Sequence, residues 1–304
     1  MERLSGLRER RAFECRLTPD RALGSLDEAE GFLRERGLLT RTTDSALPSL
    51  YEACHEEAYQ PGGRGFASWP ATRWPWFSEL TARGYLCLAV HRGKNLLVSP
   101  ETAALLDPIC RAETDRMRAA DPGWRRLLDH LAAAGPSLAD DLRVELNLKR
   151  QELKALRSPL ERCGALVARS VTLPAGGAAP GGPAASAAAE AGGHTHSTEL
   201  ARWDQVYLAG TGTRPAPSAP PAPRAASSAS ESGASGLSGP SSLSGPSGAL
   251  GDLIVAAVRA AVIAPESEVR RWFSWPWYWT GTLIDDLVRT ARLRRVDSHL
   301  AAGG

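Results

Sequence analysis

Between Lys149 and Arg157 the chain concentrates four cations and an amide: Lys149, Arg150, Gln151, Lys154 and Arg157, with Glu152 the one acid among them. At helical spacing Leu153, Leu156 and Leu160 share one face and leave those polar groups largely on the other. Such a face suits a DNA groove, where Arg or Lys bonds guanine, Gln bonds adenine and the remaining cations meet phosphate. A solvated helix face is the plain alternative, because charged faces are commonly only that. Arg92 and Lys94, in the run His91-Arg92-Gly93-Lys94, offer the same chemistry from a turn.

Other reactive groups are sparser. His194 and His196, separated by Thr195, are metal-ligand types. Two imidazoles alone make a weak site, so neither a metal nor a cofactor is expected. The cysteines at 15, 54, 87, 110 and 163 stand at least 23 residues apart, which excludes zinc fingers and CxxC redox motifs and predicts free thiols. Trp272, Trp275, Trp277, Tyr278 and Trp279, beside Arg270 and Arg271, could stack unpaired bases, but so many large rings in a short module read more simply as its core. No GxSxG, HExxH, P-loop or GxGxxG is present. The neighbouring acids Glu56-Glu57 and Asp285-Asp286 point in different directions on a helix, which argues against a shared acid–base site.

The elements that must position these groups fall into three blocks. Pro174 to Gly193 and Thr211 to Gly248 are dominated by Ala, Gly, Pro and Ser, so neither repays its ordering entropy. As a flexible coil the second would span about 35 Å. The expected boundaries are therefore 20–120, then 121–210 with a disordered loop at 174–193, a disordered linker at 211–249, and a Trp-rich module at 250–304.

In the first block Ser25 and Glu28 should cap a helix that closes at Gly37. A second helix is predicted from Leu47 towards Ala58 and a short one over Trp74–Leu80, followed by strands at Tyr85–Val90 and Leu96–Ser99. In the second block Trp124–Ala134 and Leu138–Leu146, the latter capped by Ser137, lead to the basic helix from Leu148. Pro159 should either bend that helix or leave Ser158 to cap a separate turn. Ala165–Leu173 and Glu199–Leu208 then read as a long hairpin. Helix-turn-helix plus hairpin is the outline of a winged helix, in which the basic helix enters the major groove. The third block predicts helices at Asp252–Ile263 and Pro265–Trp272, a third capped by Thr282, and one strand at Leu293–Val296. It reads as a helical module, a winged helix without its wing.

Composition adds bounds. Of 304 residues, 43% are hydrophobic and 23% charged, so most of the chain can bury a core. With 36 basic against 34 acidic residues the net charge is +2, short of the strong positive balance of a dedicated nucleic-acid domain. Only three of the basic residues are lysine, a bias that GC-rich coding explains more simply than selection for phosphate binding. The N-terminus shows no signal-peptide pattern, and the apolar run at Leu253–Ala264 is too short to span a bilayer, so a cytoplasmic, nucleoid-associated protein is expected.

The strings Leu47-Pro48-Ser49-Leu50-Tyr51-Glu52-Ala53, Arg92-Gly93-Lys94 with Val98-Ser99, and the helix-turn-helix from Gly135 to Arg157 resemble bacterial proteins related to the AlkZ-type alkylpurine DNA glycosylases. That resemblance implies tandem winged helices around a DNA-binding concavity. The Gln-x-Gln or Gln-x-Asp motif of those enzymes is absent, since Gln60, Gln151 and Gln205 are followed two places on by Gly62, Leu153 and Tyr207. Asp44, Glu52 and Glu79 are the substitutes a divergent enzyme could use.

The expected protein is mainly α with small β-hairpins: tandem winged helices and a C-terminal helical module. It binds duplex DNA without catalysis, through Lys149, Arg150, Gln151, Lys154 and Arg157, with Arg92 and Lys94 second. A divergent glycosylase for alkylated purines and a protein-interaction module on the same scaffold are the alternatives.

Overall fold

A computed structural model describes residues 3–58, 69–174, 194–211 and 245–303. The expected loop at 174–193 and linker at 211–249 lie almost wholly outside these residues. The described residues are mainly helical, with three small antiparallel sheets of three strands each.

After α1 (Leu4–Glu14), the first unit runs α2 (Leu26–Arg36), β1 (Leu38–Thr40), α3 (Trp76–Ala82), β2 (Leu86–His91) and β3 (Lys94–Val98). A 21-residue helix, α4 (Pro100–Ala120), leads to the second unit: α5 (Pro122–Ala134), β4 (Ser137–Leu138), α6 (Ala139–Glu145), α7 (Arg150–Arg162), β5 (Leu166–Pro174) and β6 (His194–Arg202). Helix α8 (Trp203–Thr211) follows. The third unit runs α9 (Pro246–Ala261), β7 (Ile263–Pro265), α10 (Glu266–Val269), α11 (Leu283–Arg289), β8 (Leu293–Val296) and β9 (His299–Ala302). One pattern therefore occurs three times: helix, short strand, helical segment, hairpin. Each sheet has its third strand in the middle, in the orders β1-β3-β2, β4-β6-β5 and β7-β9-β8.

Local signals explain much of this. Ser25 Oγ accepts from the Glu28 amide at 3.2 Å, the Glu28 carboxylate accepts from the Gly24 amide at 2.7 Å, and Gly37 ends α2 at φ 80°. Helix α4, unforeseen in the sequence, starts with Ser99 accepting from the Thr102 amide and with Pro100 in its first turn. It buries Ala103, Leu106, Ile109, Cys110, Glu113 and Met117 at helical spacing.

Several expectations are corrected. Instead of a helix from Leu47 to Ala58, the segment pairs with β1: the Thr40 amide donates to Pro48 O and the Leu50 amide to Thr40 O, both at 2.9 Å, leaving one 3₁₀ turn at Glu52–Cys54. Committing those amides to a neighbouring strand outweighs the local helical preference. The strand expected to run to Leu208 stops at Arg202, whose amide donates to Gln205 Oε1 at the start of α8. Ser137 lies in β4, paired with Leu200, and Leu138 precedes α6 in its place. Pro159 is carried inside a single α7, where the Ser158 hydroxyl donates to Lys154 O at 2.8 Å.

The third unit differs most from expectation. Its first helix begins at Pro246, and only Glu266–Val269 of the predicted Pro265–Trp272 helix is helical. The module is not purely helical, because β8 and β9 pair from Leu293↔Ala302 to Val296↔His299. A two-residue tip, Asp297-Ser298 with Asp297 at φ 53°, lets a complete hairpin fit before the chain ends.

One apolar cluster runs through all three units, and the first unit adds a second around Phe32, Leu50 and Phe77. Leu38, Leu88 and Leu106, Leu127, Leu153 and Trp203, and Leu253, Trp272 and Leu300 belong to the shared cluster, and α9 packs along α4. Glu113, fully buried on α4, accepts from Trp277 Nε1 at 2.9 Å and Tyr278 Oη at 2.7 Å while pairing with Arg116. Trp275 Nε1 donates to Cys163 O at 3.0 Å, fastening the third unit to the end of α7.

Candidate nucleic-acid interface

Helix α7 is held by a buried edge formed by Leu153 and Leu160, with Leu156 partly covered against α5. Burying one such leucine contributes about 1.5–3 kcal/mol, enough to fix which face looks outward. The opposite face exposes Lys149, Arg150, Gln151 and Lys154, and half-exposes Arg157. Glu152, the acid amid these cations, serves the helix itself. Its carboxylate accepts from the Lys149 amide at 2.7 Å and caps the helix start.

Arg150, Gln151, Lys154 and Arg157 together line a groove of about 630 Å³ between α6, α7 and β6. Arg143 of α6 and the strand residues Ser197 and Thr198 complete its walls. Arg143 is paired with Asp140 at 2.8 Å and Arg157 with Glu161 at 3.3 Å. Among the described residues, Lys149, Arg150 and Lys154 have no ion-pair partner. Burial raises the Glu161 carboxyl above its ordinary value, against the lowering influence of Arg157. Ser197, Thr198 and Arg143 carry no sequence signal of their own; only the pairing of β6 between β4 and β5, and the packing of α6, bring them beside α7.

Arg92 and Lys94 are placed differently. They flank Gly93 at the β2–β3 tip, where both Arg92 and Gly93 have positive φ, 53° and 73°. Arg92 donates to Asp44 O at 3.1 Å and Arg271 O at 3.2 Å and approaches Glu268 at 3.7 Å, while Lys94 pairs with Asp44. A Cβ on Gly93 would lie 3.2 Å from Arg162 Cδ, so this tip abuts the C-terminal end of α7. Lys149 is about 20 Å away along the helix axis at 1.5 Å per residue. The two candidate cation groups thus sit at opposite ends of one helix, the second committed to internal partners.

The remaining candidates separate too. Asp44 borders a shallow cavity of about 450 Å³ with Arg41, Thr42, Trp69 and Asn95. Burial alone would raise its carboxyl, but hydrogen bonds from Lys94 and Thr42 hold it below its ordinary value. Glu52, at a 3₁₀ turn, and Glu79, exposed on α3, are not among the residues that line that cavity. His194 and His196 lie on β6 opposite Pro174 and Thr172; among the described residues no group of three metal-ligand side chains converges. Trp272 and Trp275 are fully buried, whereas Trp277 is 48% exposed with Arg116 over its ring at 4.2 Å. Among the described residues no helix is long and apolar enough to cross a membrane.

Comparison of the chain with protein-family models, with curated proteins and with solved structures finds no match.

Proposed function

We propose that the chain is a winged-helix protein, its three repeated units each a variant of that fold, and that it binds duplex DNA through α7. The reading rests on one observation: three cations without ion-pair partners and an exposed amide stand on the outward face of a helix anchored by leucines, beside a groove walled by a β-hairpin strand. That is the disposition by which a helix-turn-helix reaches base edges with its N-terminal residues and phosphates with flanking cations. The repeated strand order supports a scaffold of the kind that the resemblance to AlkZ-related proteins implies.

Duplex binding without catalysis is the favoured activity. A divergent glycosylase needs a carboxylate or amide free to direct water at the sugar, and Asp44, the candidate acid beside a cavity, has its oxygens engaged by Lys94 and Thr42. Converting Lys149, Arg150 and Lys154 together to Ala should weaken duplex binding at least tenfold at low salt and flatten the salt dependence, because fewer counterions are released. Fluorescence anisotropy across a salt series is the measurement, and an unchanged affinity and slope would remove α7 from the interface. Incubation with alkylated duplex should yield no abasic sites. Failure of the unaltered protein to bind DNA at low salt would favour the protein-interaction alternative.

A further inference from the structure

Resting on the duplex-binding reading, we infer that one chain engages DNA through α7 alone, and so takes a single asymmetric half-site of about six base pairs although it carries three repeats of the same unit. The inference comes from comparing charge at equivalent places in the three units. Between Lys149 and Arg162 the second unit carries five cations against two acids. One of those acids, Glu152, caps the helix, and the other, Glu161, pairs with Arg157.

The equivalent helix of the first unit, α3, has the sequence Trp-Phe-Ser-Glu-Leu-Thr-Ala, with Glu79 its one charged side chain. Arg83, just beyond it, is spent on Asp27 and Glu30 at 2.6 and 2.5 Å. In the third unit α11 opens on Asp285 and Asp286, and its Arg289 pairs with Asp286 at 3.0 Å. Among the described residues neither helix offers phosphate a cation without an ion-pair partner, whereas α7 offers several.

The hairpin tips repeat the distinction. The first tip holds its two cations against Asp44, Glu268 and the Arg271 carbonyl, which makes it a brace between units. The third tip bears Asp297, while Arg292 and Arg295 near it are bound to Asp252, Glu266 and Asp285. The first and third units therefore act as the frame that presents α7. A helix of 13 residues is about 20 Å long, which matches about six base pairs at 3.4 Å each. Arg162, at the far end of α7, packs against the Gly93 tip, so the three cations at the N-terminal end, Lys149, Arg150 and Lys154, predict a log–log salt slope of about −3.

The test uses the full-length protein, random-sequence duplexes of graded length and two charge-adding variants at exposed sites outside the second unit, A82E on α3 and R289E on α11, each checked for native circular dichroism. Expected are a slope near −3, affinity that stops rising once the duplex exceeds about eight base pairs, and less than a twofold change in either variant. A slope of −6 or steeper, a requirement for more than one helical turn of DNA, or a tenfold loss in A82E or R289E would overturn the single-helix inference while leaving DNA binding intact. Absence of binding by the unaltered protein at low salt would instead overturn the duplex-binding reading, and the inference with it.

Discussion

Gln151 is the one neutral hydrogen-bonding side chain among the α7 residues that line the groove, and its neighbours Arg150 and Lys154 are cations. The cations attract any duplex, whereas an amide can pair bidentately with adenine through one donor and one acceptor. Gln151→Ala should therefore reduce discrimination at one base position by about 1–3 kcal/mol, with little change in the salt slope. Selection of bound sequences from a random pool, compared between the two proteins, measures this. Equal preference in both would show that Gln151 faces solvent or phosphate. The grouping of these residues was legible from the spacing of Leu153, Leu156 and Leu160, since a helical period dictates which side chains share a face. Arg92 and Lys94 were not resolvable in that way. A basic turn looks alike in sequence whether its cations meet DNA or, as here, the carboxylates of Asp44 and Glu268, which lie 50 and 176 residues away.

At the scale of elements, the junction between α7 and β5 is closely packed. Gly164 has φ 80°, and a Cβ there would lie 2.6 Å from Cys110 Sγ and 3.3 Å from Val90 Cγ1. Gly164→Ala would combine a left-handed backbone with overpacking against two other elements, so a loss of about 2–4 kcal/mol is expected in urea unfolding. A loss below about 0.5 kcal/mol would mean that α4 yields easily. The same logic of tertiary constraint explains which elements could be read in advance. The capped helix α2 and the hairpin strands β2 and β3 carry their own signals in Ser25, Gly37 and the two apolar runs on either side of the basic turn at His91–Lys94. The segment after Leu47 has a sound helical start in Pro48, yet its backbone bonds β1, a partner that no local pattern reveals.

Across the whole molecule, the first hairpin and the third unit meet at His91, which is fully buried, bridged to Phe273, and makes no hydrogen bond from either ring nitrogen among the described residues. Burial, reinforced by Arg92, pushes its imidazole down from 6.5 to about 4, against the opposing pull of the Trp272 backbone, Asp44 and Glu268. In the unfolded chain the imidazole takes a proton near its ordinary value, so between about pH 6.5 and 4 the unfolded state binds a proton that the folded state refuses. Stability should accordingly fall as pH drops through that window, by up to about 3 kcal/mol from this group. His91→Leu should lessen the fall, read as urea midpoints at pH 7 and pH 4.5. An identical pH dependence in both proteins would place the sensitivity elsewhere.

Local chemistry in the sequence determined the apolar periods, the caps and the hairpin signals, and with them a mainly helical protein with small hairpins and a basic helical face at 149–157. Only tertiary structure decided that the unit occurs three times, that the third carries a complete hairpin, and that Trp275, Trp277 and Tyr278 fasten it to Cys163 and Glu113. The physical reason is the range of the interactions: periodicity and capping act within a few residues, whereas the burial of Trp275 and the pairing of Arg92 depend on surfaces brought together from distant parts of the chain.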